Sequence, residues 1–409
     1  MSDAGVVILG AGQGGFQAAA SLRDEGYAGR ITLLGEEPGL PYQRPPLSKA
    51  FLAGSADAAS VRLRPQSFYD HHRIDLRPGE RALAIDRRAR RLQLGSGGAL
   101  DYDHLVLAPG ARPRLLPVPG AELDGVMALR TLGDAAALRE RLRDAAHVVL
   151  VGAGFIGLEF AAVASKLGTA LHVLEATDRV MARVVSPAVS RHFAAAHAGW
   201  GARVRFGTSI ARVLGDSGRV RAVATTGGET LPADLLVIAI GVVPNAELAA
   251  AAGLATDDGV VVDAELRTAD PAISAIGDCA RYPSRFTARP VRLESVQNAV
   301  DQARTVARRL AGRPGAYAAV PWFWSDQRDL RLQIAGLTQG YDQAVLRGDP
   351  ESGSFSVFCF RAGRLIGIES VNRPADHIAG RRLLAAGPAL TPQQAADTDY
   401  DLKAHAAAV

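Results

Sequence analysis

The residues whose types and spacing carry most chemistry form two glycine triplets, Gly10/Gly12/Gly15 and Gly152/Gly154/Gly157. Each reads G-x-G-x-x-G. Such a triplet gives a tight turn, close approach of backbone to a pyrophosphate and close helix–strand packing. The helix that follows offers free N–H groups and the positive end of its dipole to phosphate. An acid stands about twenty residues beyond each triplet, Glu36 and Glu175, where a carboxylate takes ribose hydroxyls. Two complete dinucleotide sites in one chain pair naturally as a flavin adenine dinucleotide and a nicotinamide dinucleotide.

The elements needed to hold these residues can be read around them. Residues 6–9 and 148–151 are apolar runs of strand length, each directly ahead of a triplet. A helix is expected after each, the first running to about Asp24. In the second, Ile156, Phe160, Val163 and Leu167 fall on one face. The next strands are residues 31–34 and 171–174, so each triplet sits in a β–turn–α–β unit. Between the units lies a proline-rich stretch, residues 40–49, whose stiff backbone presents Arg44 and Lys49. Ser48 is expected to cap a short helix over residues 49–52. Residues 81–94 read as two strands around an arginine-rich turn, taken as a solvated hairpin tip. Further strands are expected at 102–107, 203–206, 220–225, 235–240, 260–262 and 273–278, with helices at 135–142, 187–197 and 296–310. From Pro321 the pattern changes to strands at 330–335, 344–347, 355–360 and 365–371, closed by a helix at 375–386.

Composition excludes several classes. A chain of 409 residues with 48% hydrophobic and 22% charged residues has ample core for two or three domains. No apolar run approaches the roughly 18 residues of a membrane span. The first strand pattern starts near Gly5, which leaves no room for a signal or transit peptide, and a cytoplasmic protein is expected. Cys279 and Cys359 stand far apart without a C-x-x-C, so they read as ordinary packed thiols rather than a redox dithiol. The histidines show no metal spacing; His192 and His197 do not share a helix face. Trp322 and Trp324 read first as packing residues. The net charge of +4 is modest, and almost all positive charge is arginine. Lysine occurs only at Lys49, Lys166 and Lys403, which singles out Lys49.

Together with the two triplets, residues 42–49 (Tyr-Gln-Arg-Pro-Pro-Leu-Ser-Lys), 108–112 (Ala-Pro-Gly-Ala-Arg), 276–279 (Ile-Gly-Asp-Cys), 294–298 (Glu-Ser-Val-Gln-Asn) and 321–327 (Pro-Trp-Phe-Trp-Ser-Asp-Gln) stand in family order. On these motifs the chain resembles the FAD-containing, NADH-using ferredoxin reductases of bacterial oxygenase systems. The resemblance implies an α/β fold with two Rossmann-like dinucleotide-binding domains, glutathione-reductase-like, plus a C-terminal α/β domain. The implied boundaries are residues 1–113 and 245–320 for FAD, 114–244 for NAD and 321–409 for the C-terminal domain.

The resemblance also assigns residues. FAD would be held by Gly10, Gly12, Gly15, Glu36, Arg44, Lys49, Ala108, Arg112 and Asp278. The helix N-terminus near Val296 would face the flavin ring, and Trp324 would lie beside it. NAD would be held by Gly152, Gly154, Ile156, Gly157, Glu159, Glu175 and Gly241. Catalytic roles would fall to Lys49, Glu159 and Trp324, with Lys49 paired to Glu159. Pro109 departs from the family pattern and removes a backbone donor at the FAD site.

The implied cycle is hydride transfer from NADH to FAD, then single-electron transfer to a [2Fe–2S] ferredoxin. Glu175 is expected to select NADH. Against a 2′-phosphate about 4 Å away, a like charge costs ~4 kcal/mol at an effective dielectric of about 20, up to roughly a thousandfold. An acidic ferredoxin would dock on basic side chains, with Arg304, Arg308 and Arg309 the first candidates and Arg289, Arg292 and Arg313 further ones. Neither nucleic acid nor membrane is an expected partner, no metal is expected, and a monomer or weak dimer is expected. Alternatives on the same scaffold are an NADH:rubredoxin or monodehydroascorbate-type reductase, or a basic flavoprotein of the apoptosis-inducing type.

Overall fold

The computed structural model describes residues 4–387 and 389–407. The chain is α/β and divides into two compact units. The first takes residues up to 43, 59–112 and 243–321; the second takes 44–58, 113–242 and 322 onward.

The first unit is built on a five-stranded parallel sheet. Its order is Ile273–Ala275, His104–Leu107, Val6–Leu9, Ile31–Gly35, Ile74–Pro78. The central strands are mostly apolar, and the core they form also takes Ile85, Leu92, Leu94 and Leu100. Val7, Ile8, Leu33, Leu34, Leu105 and Val106 are all buried in one core. The helices Gln13–Asp24 and Val296–Leu310 pack on each other within this unit. A small antiparallel sheet, Ala82–Asp86, Arg91–Leu94 and Ala99–Asp101, is appended.

The second unit repeats the plan. Its parallel sheet runs Arg203–Arg205, Ala170–Leu174, His147–Val151, Leu235–Ile238, Val126–Ala128. The triplet strand is third in both sheets, and in each it pairs with the next strand in sequence. In the second sheet, however, the last edge comes from a strand that precedes the triplet in the chain. An antiparallel five-stranded sheet follows, ordered Trp322–Gln327, Leu330–Gly336, Arg364–Val371, Ser354–Arg361, Gln343–Asp349. Leu330, Leu332, Phe355 and Val357 share a core with Leu158, Phe160, Val189 and Phe193. The helix Pro374–Ala386 closes the other side over Phe358, Phe360 and Ile368.

Several local expectations are corrected. No helix forms at residues 49–52. A short 3-10 helix, Pro45–Ser48, comes earlier, since prolines at its first positions fix the backbone there. Ser48 caps nothing, because its hydroxyl donates to Glu159. The helix Phe155–Ala164 ends before Leu167, and Ile156 is exposed. Its buried set is instead Leu158, Glu159, Phe160 and small residues, which let it lie close against its neighbours on several sides. The arginine turn is not a free tip. Arg87 reaches Asp270 at 2.9 Å and the carbonyls of Ala252 and Gly253. Several strands escaped the sequence reading, among them Ile74–Pro78, Val126–Ala128, Ile210–Asp216 and Trp322–Gln327. Among the described residues no helix is long and apolar enough to cross a membrane.

Candidate functional site

The two glycine turns share one geometry. Gly10 has φ +107° and Gly152 has φ +96°, both in the region that favours glycine. A side chain on Gly10 would strike the Ala108 carbonyl, and one on Gly152 the Ala239 carbonyl. Each of these carbonyls follows the strand adjoining the triplet strand. A side chain on Gly15 or Gly157 would strike the carbonyl of the first glycine in its own turn. The middle glycines differ. Nothing lies within 4 Å of where a Cβ of Gly12 or Gly154 would be. Each turn is therefore closed on the protein side and open on the other, as a backbone cradle for pyrophosphate requires.

The helices that follow leave their first N–H groups available. Gln13–Asp24 starts on Gly12 and Phe155–Ala164 on Gly154, both without a side-chain cap. By contrast Thr131, Ser186 and Ser295 cap the helices Leu132–Asp144, Pro187–Gly199 and Val296–Leu310. Uncapped N–H groups at a glycine turn suit an anion. The residues present fit two dinucleotides.

The acids after the triplets differ from each other. Glu175 turns back to its own fingerprint. One oxygen accepts from the Ala153 N–H at 2.8 Å, and the other from the Thr177 N–H and hydroxyl at 2.9 and 2.8 Å. Glu36 is exposed and faces Arg81 at 3.5 Å. Gly241, at φ +96°, lies beside the Arg183 and Arg114 guanidinium groups. Ile156 projects outward from the first turn of its helix, 48% exposed.

Glu159 is the most enclosed ionic group of the second unit's candidate residues, 3% exposed. One of its oxygens lies 2.6 Å from the Lys49 ammonium and accepts from Ser48 Oγ at 2.5 Å. The other accepts from Ser325 Oγ at 2.7 Å. Lys49 keeps 22% of its side chain exposed and also reaches the Pro45 carbonyl at 3.3 Å. The short 3-10 helix Pro45–Ser48 directly before it thus serves to aim one ammonium at one buried carboxylate. Sequence reasoning named Lys49 and Glu159 but missed Ser325. Ser325 alternates with Trp324 along the strand Trp322–Gln327, so the serine is buried and the tryptophan lies on the half-exposed face. Trp322 and Trp324 stack at 5.5 Å.

Other candidates are engaged within their own units. Arg44 donates to the Arg130 carbonyl at 2.5 Å. Arg112 pairs with Glu247 at 2.6 Å and donates to Asn245 at 2.9 Å. Asn245 in turn donates to the Pro109 carbonyl at 2.9 Å, so the peptide beside the missing donor is pinned by a side chain. Asp278 stands half-buried in the short 3-10 helix Gly277–Cys279. Val296 opens the fifteen-residue helix capped by Ser295.

The docking candidates separate on burial. Arg304 and Arg308 are 52% and 61% exposed, each near one carboxylate, Asp301 and Glu25. Arg309 and Arg292 are corrected. Arg309 turns inward and donates to Ser274 Oγ at 2.5 Å, and burial lowers its basicity to about 10. Arg292 is 8% exposed, between Asp258 and Glu294. Arg313 pairs with Glu25.

Both cysteines are free and buried. Burial pushes the Cys279 thiol up to about 12 and raises Cys359 as well, so neither is a ready thiolate. Among the described residues no cluster is suited to a metal ion.

Comparison with known proteins agrees with this geometry. Residues 4–303 match the family described as pyridine nucleotide-disulphide oxidoreductase, and residues 322–406 match the reductase C-terminal family. Rhodocoxin reductase of Rhodococcus erythropolis is 54% identical over 398 residues, 97% of this chain and 93% of that protein. The ferredoxin reductase for the CYP199A2 system from Rhodopseudomonas palustris is 52% identical with a TM-score of 0.97, covering 98% of this chain and 99% of that one. The covalent putidaredoxin reductase–putidaredoxin complex matches at 40% identity and a TM-score of 0.96, covering 100% and 99%. Twin open glycine turns on twin parallel sheets accord with these matches; the chain belongs to the pyridine nucleotide-disulphide oxidoreductase family, among its FAD- and NAD(P)H-dependent ferredoxin reductases.

Proposed function

We propose that this chain is a cytoplasmic NADH-dependent reductase serving a [2Fe–2S] ferredoxin that feeds a bacterial monooxygenase or dioxygenase. Bound FAD would supply the chemistry, accepting a hydride from NADH and releasing electrons one at a time. The observation that carries the reading is the pair of open, uncapped glycine turns at Gly12 and Gly154, one for each dinucleotide. The complex of a similar reductase with putidaredoxin supports a ferredoxin as partner.

The chain's own residues then have distinct tasks. Gly10, Gly12 and Gly15 cradle the FAD pyrophosphate, with Glu36, Arg44, Ala108, Arg112, Asp278 and the helix start at Val296 lining the remainder. Gly152, Gly154, Ile156, Gly157 and Gly241 hold NAD. Glu175 is directed to the adenosine ribose and disfavours a 2′-phosphate by like charge. Lys49, fixed by Glu159, supplies a cation that favours the negative charge of the reduced cofactor, and Trp324 shields it from water. Arg304 and Arg308 offer a basic surface to an acidic ferredoxin. On this reading residues 1–113 and 245–320 are the FAD domain, 114–244 the NAD domain and 321–409 the C-terminal domain, in a monomer or weak dimer.

The deciding experiment is turnover of the purified flavoprotein with NADH and a panel of ferredoxins and rubredoxins. Reduction of a [2Fe–2S] ferredoxin with higher kcat/KM than any rubredoxin is expected. Preference for a rubredoxin, or for NADPH as donor, would overturn the proposal.

A further inference from the structure

The Glu159 carboxylate is the end of a longer line of hydrogen bonds inside the second unit. Ser325 Oγ, which donates to Glu159, itself accepts from Gln327 Nε2 at 3.1 Å. Gln327 Oε1 faces His197 Nε2 at 2.8 Å. Ser325, Gln327 and His197 are each 0% exposed. Ser325 and Gln327 are two apart on the strand Trp322–Gln327, so both side chains leave the same face. They bridge Glu159 on the helix Phe155–Ala164 and His197 on the helix Pro187–Gly199.

The line has one direction. An amide oxygen only accepts, so His197 carries its proton on Nε2 and donates to Gln327. His197 Nδ1 has no partner among the described residues, which agrees with that tautomer. Burial holds the imidazole neutral, pushing its protonation down to about 4. With Gln327 Oε1 fixed by His197, its amide nitrogen must face Ser325. The Ser325 hydroxyl, already accepting from Gln327, is left to donate to Glu159. If Gln327 were reversed, its oxygen would compete for the Ser325 proton, and one Glu159 oxygen would lose its donor. Three uncharged side chains in a core lined by Leu330, Leu332 and Phe160 would be replaced most simply by apolar ones. Their arrangement is explained if it sets the carboxylate.

We propose that Ser325 and Gln327 are positioning residues for the Lys49–Glu159 pair, acting through a hydrogen-bond relay that begins at His197 and ends on Glu159. The inference rests on the reading of Lys49 and Glu159 given above. The relay holds one Glu159 oxygen so that the other stays aimed at Lys49. A relay polarised along its length strengthens each of its bonds.

The chain's lysines permit a direct test, because Lys49 has only Lys166 and Lys403 as companions. The FAD-loaded enzyme is acylated briefly with acetic anhydride, and each lysine is quantified by mass spectrometry. An ammonium held against a carboxylate reacts slowly, and Lys166 and Lys403 serve as references in the same molecule. In Ser325→Ala, Lys49 acylation is expected to rise roughly threefold or more relative to the references, as the carboxylate loses a charge-assisted donor. Ser325→Thr, which keeps the hydroxyl, restores the wild-type ratio. Gln327→Met gives a smaller rise, and thermal unfolding with retained FAD establishes that each variant is folded. Stopped-flow reduction of the flavin by NADH is measured in parallel. Faster acylation with slowed reduction supports both readings. Faster acylation with unchanged reduction supports the relay and removes Lys49 from the chemistry. Unchanged Lys49 acylation in folded Ser325→Ala and Gln327→Met overturns the relay, whatever the reduction rate.

Discussion

The Lys49 ammonium stands 2.6 Å from a Glu159 oxygen, with the carboxylate 3% and the lysine 22% exposed. Such a pair is costly to break from one side, because the remaining charge is left in a poor solvent. It is also asymmetric: the acid is fixed by Ser48 and Ser325, while the base retains a path to solvent.

That asymmetry yields a separable prediction. Lys49→Met should slow flavin reduction by NADH roughly a hundredfold if its cation is electrostatically engaged, and should lower stability by about 3 kcal/mol. Combining it with Glu159→Leu should recover most of the stability and none of the rate. Stopped-flow kinetics and urea unfolding read the two effects independently. A double variant that regains the rate would exclude the role given to Lys49.

The middle glycines should behave differently from the first ones. Gly12→Ala places a methyl in open space, so the apoprotein's unfolding temperature should be unchanged. FAD affinity should nevertheless weaken more than about tenfold, or about 1.4 kcal/mol. Gly10→Ala, at φ +107° and against the Ala108 carbonyl, should destabilise the apoprotein itself by about 1–3 kcal/mol. Flavin absorbance and thermal unfolding of the apo form distinguish them.

Glu175→Gln should raise kcat/KM for NADPH relative to NADH, by up to roughly a thousandfold. The amide keeps one acceptor for the Ala153 N–H, so the turn is disturbed less than by alanine. Steady-state kinetics with both donors settles it; an unchanged ratio removes Glu175 from cofactor choice.

Docking on Arg304 and Arg308 should make ferredoxin-dependent turnover fall steeply with salt, while ferricyanide reduction stays flat. Arg304→Ala and Arg308→Ala should each raise the ferredoxin KM and shallow that salt dependence. Arg309→Ala should act on stability instead, since its guanidinium is spent on Ser274.

Glu369 provides a pH signature. Burial pushes its carboxyl up to about 7 from an ordinary 4.5, partly offset by Ser186. The folded state therefore binds the proton more tightly than the unfolded one. Its contribution to stability is complete below about 4.5 and is lost as pH rises through about 7. His104, His197 and His377, held neutral by burial, act in the opposite sense and cost stability on acidification. The comparison that isolates Glu369 is wild type against Glu369→Gln. Between about pH 5 and pH 7 the difference in unfolding temperature should move in the variant's favour as pH rises.

Much of this architecture was legible because it is written in local patterns. A glycine triplet between an apolar run and a helix specifies its own turn, and both triplets formed as the spacing implies. Lys49 stood out by composition, and Glu159 was reached through the family resemblance. Ser325, Gln327 and His197 carry no such mark. Each is an ordinary residue in an ordinary element, and the partners lie 166 and 130 positions apart in sequence. Arg309 misled for a related reason. Its helical position next to Arg308 suggested a shared surface, but the facing strand carried Ser274, a partner that only tertiary packing reveals. Ser48 failed as a cap because a distant carboxylate outcompeted the local backbone for its hydroxyl.

The sheet pairing of the first unit has a consequence for how the protein is made. His104–Leu107 takes Ile273–Ala275 as its parallel neighbour, and the bond from His104 to Ser274 spans 170 positions. A ribosome adding about 5–20 residues per second needs roughly ten seconds or more to deliver that edge. Throughout that interval one side of an apolar parallel sheet lacks its partner, while the intervening chain can already fold. The nascent protein therefore carries an open strand edge during synthesis, and its yield should rise with lower growth temperature or added chaperone far more than its final stability would suggest.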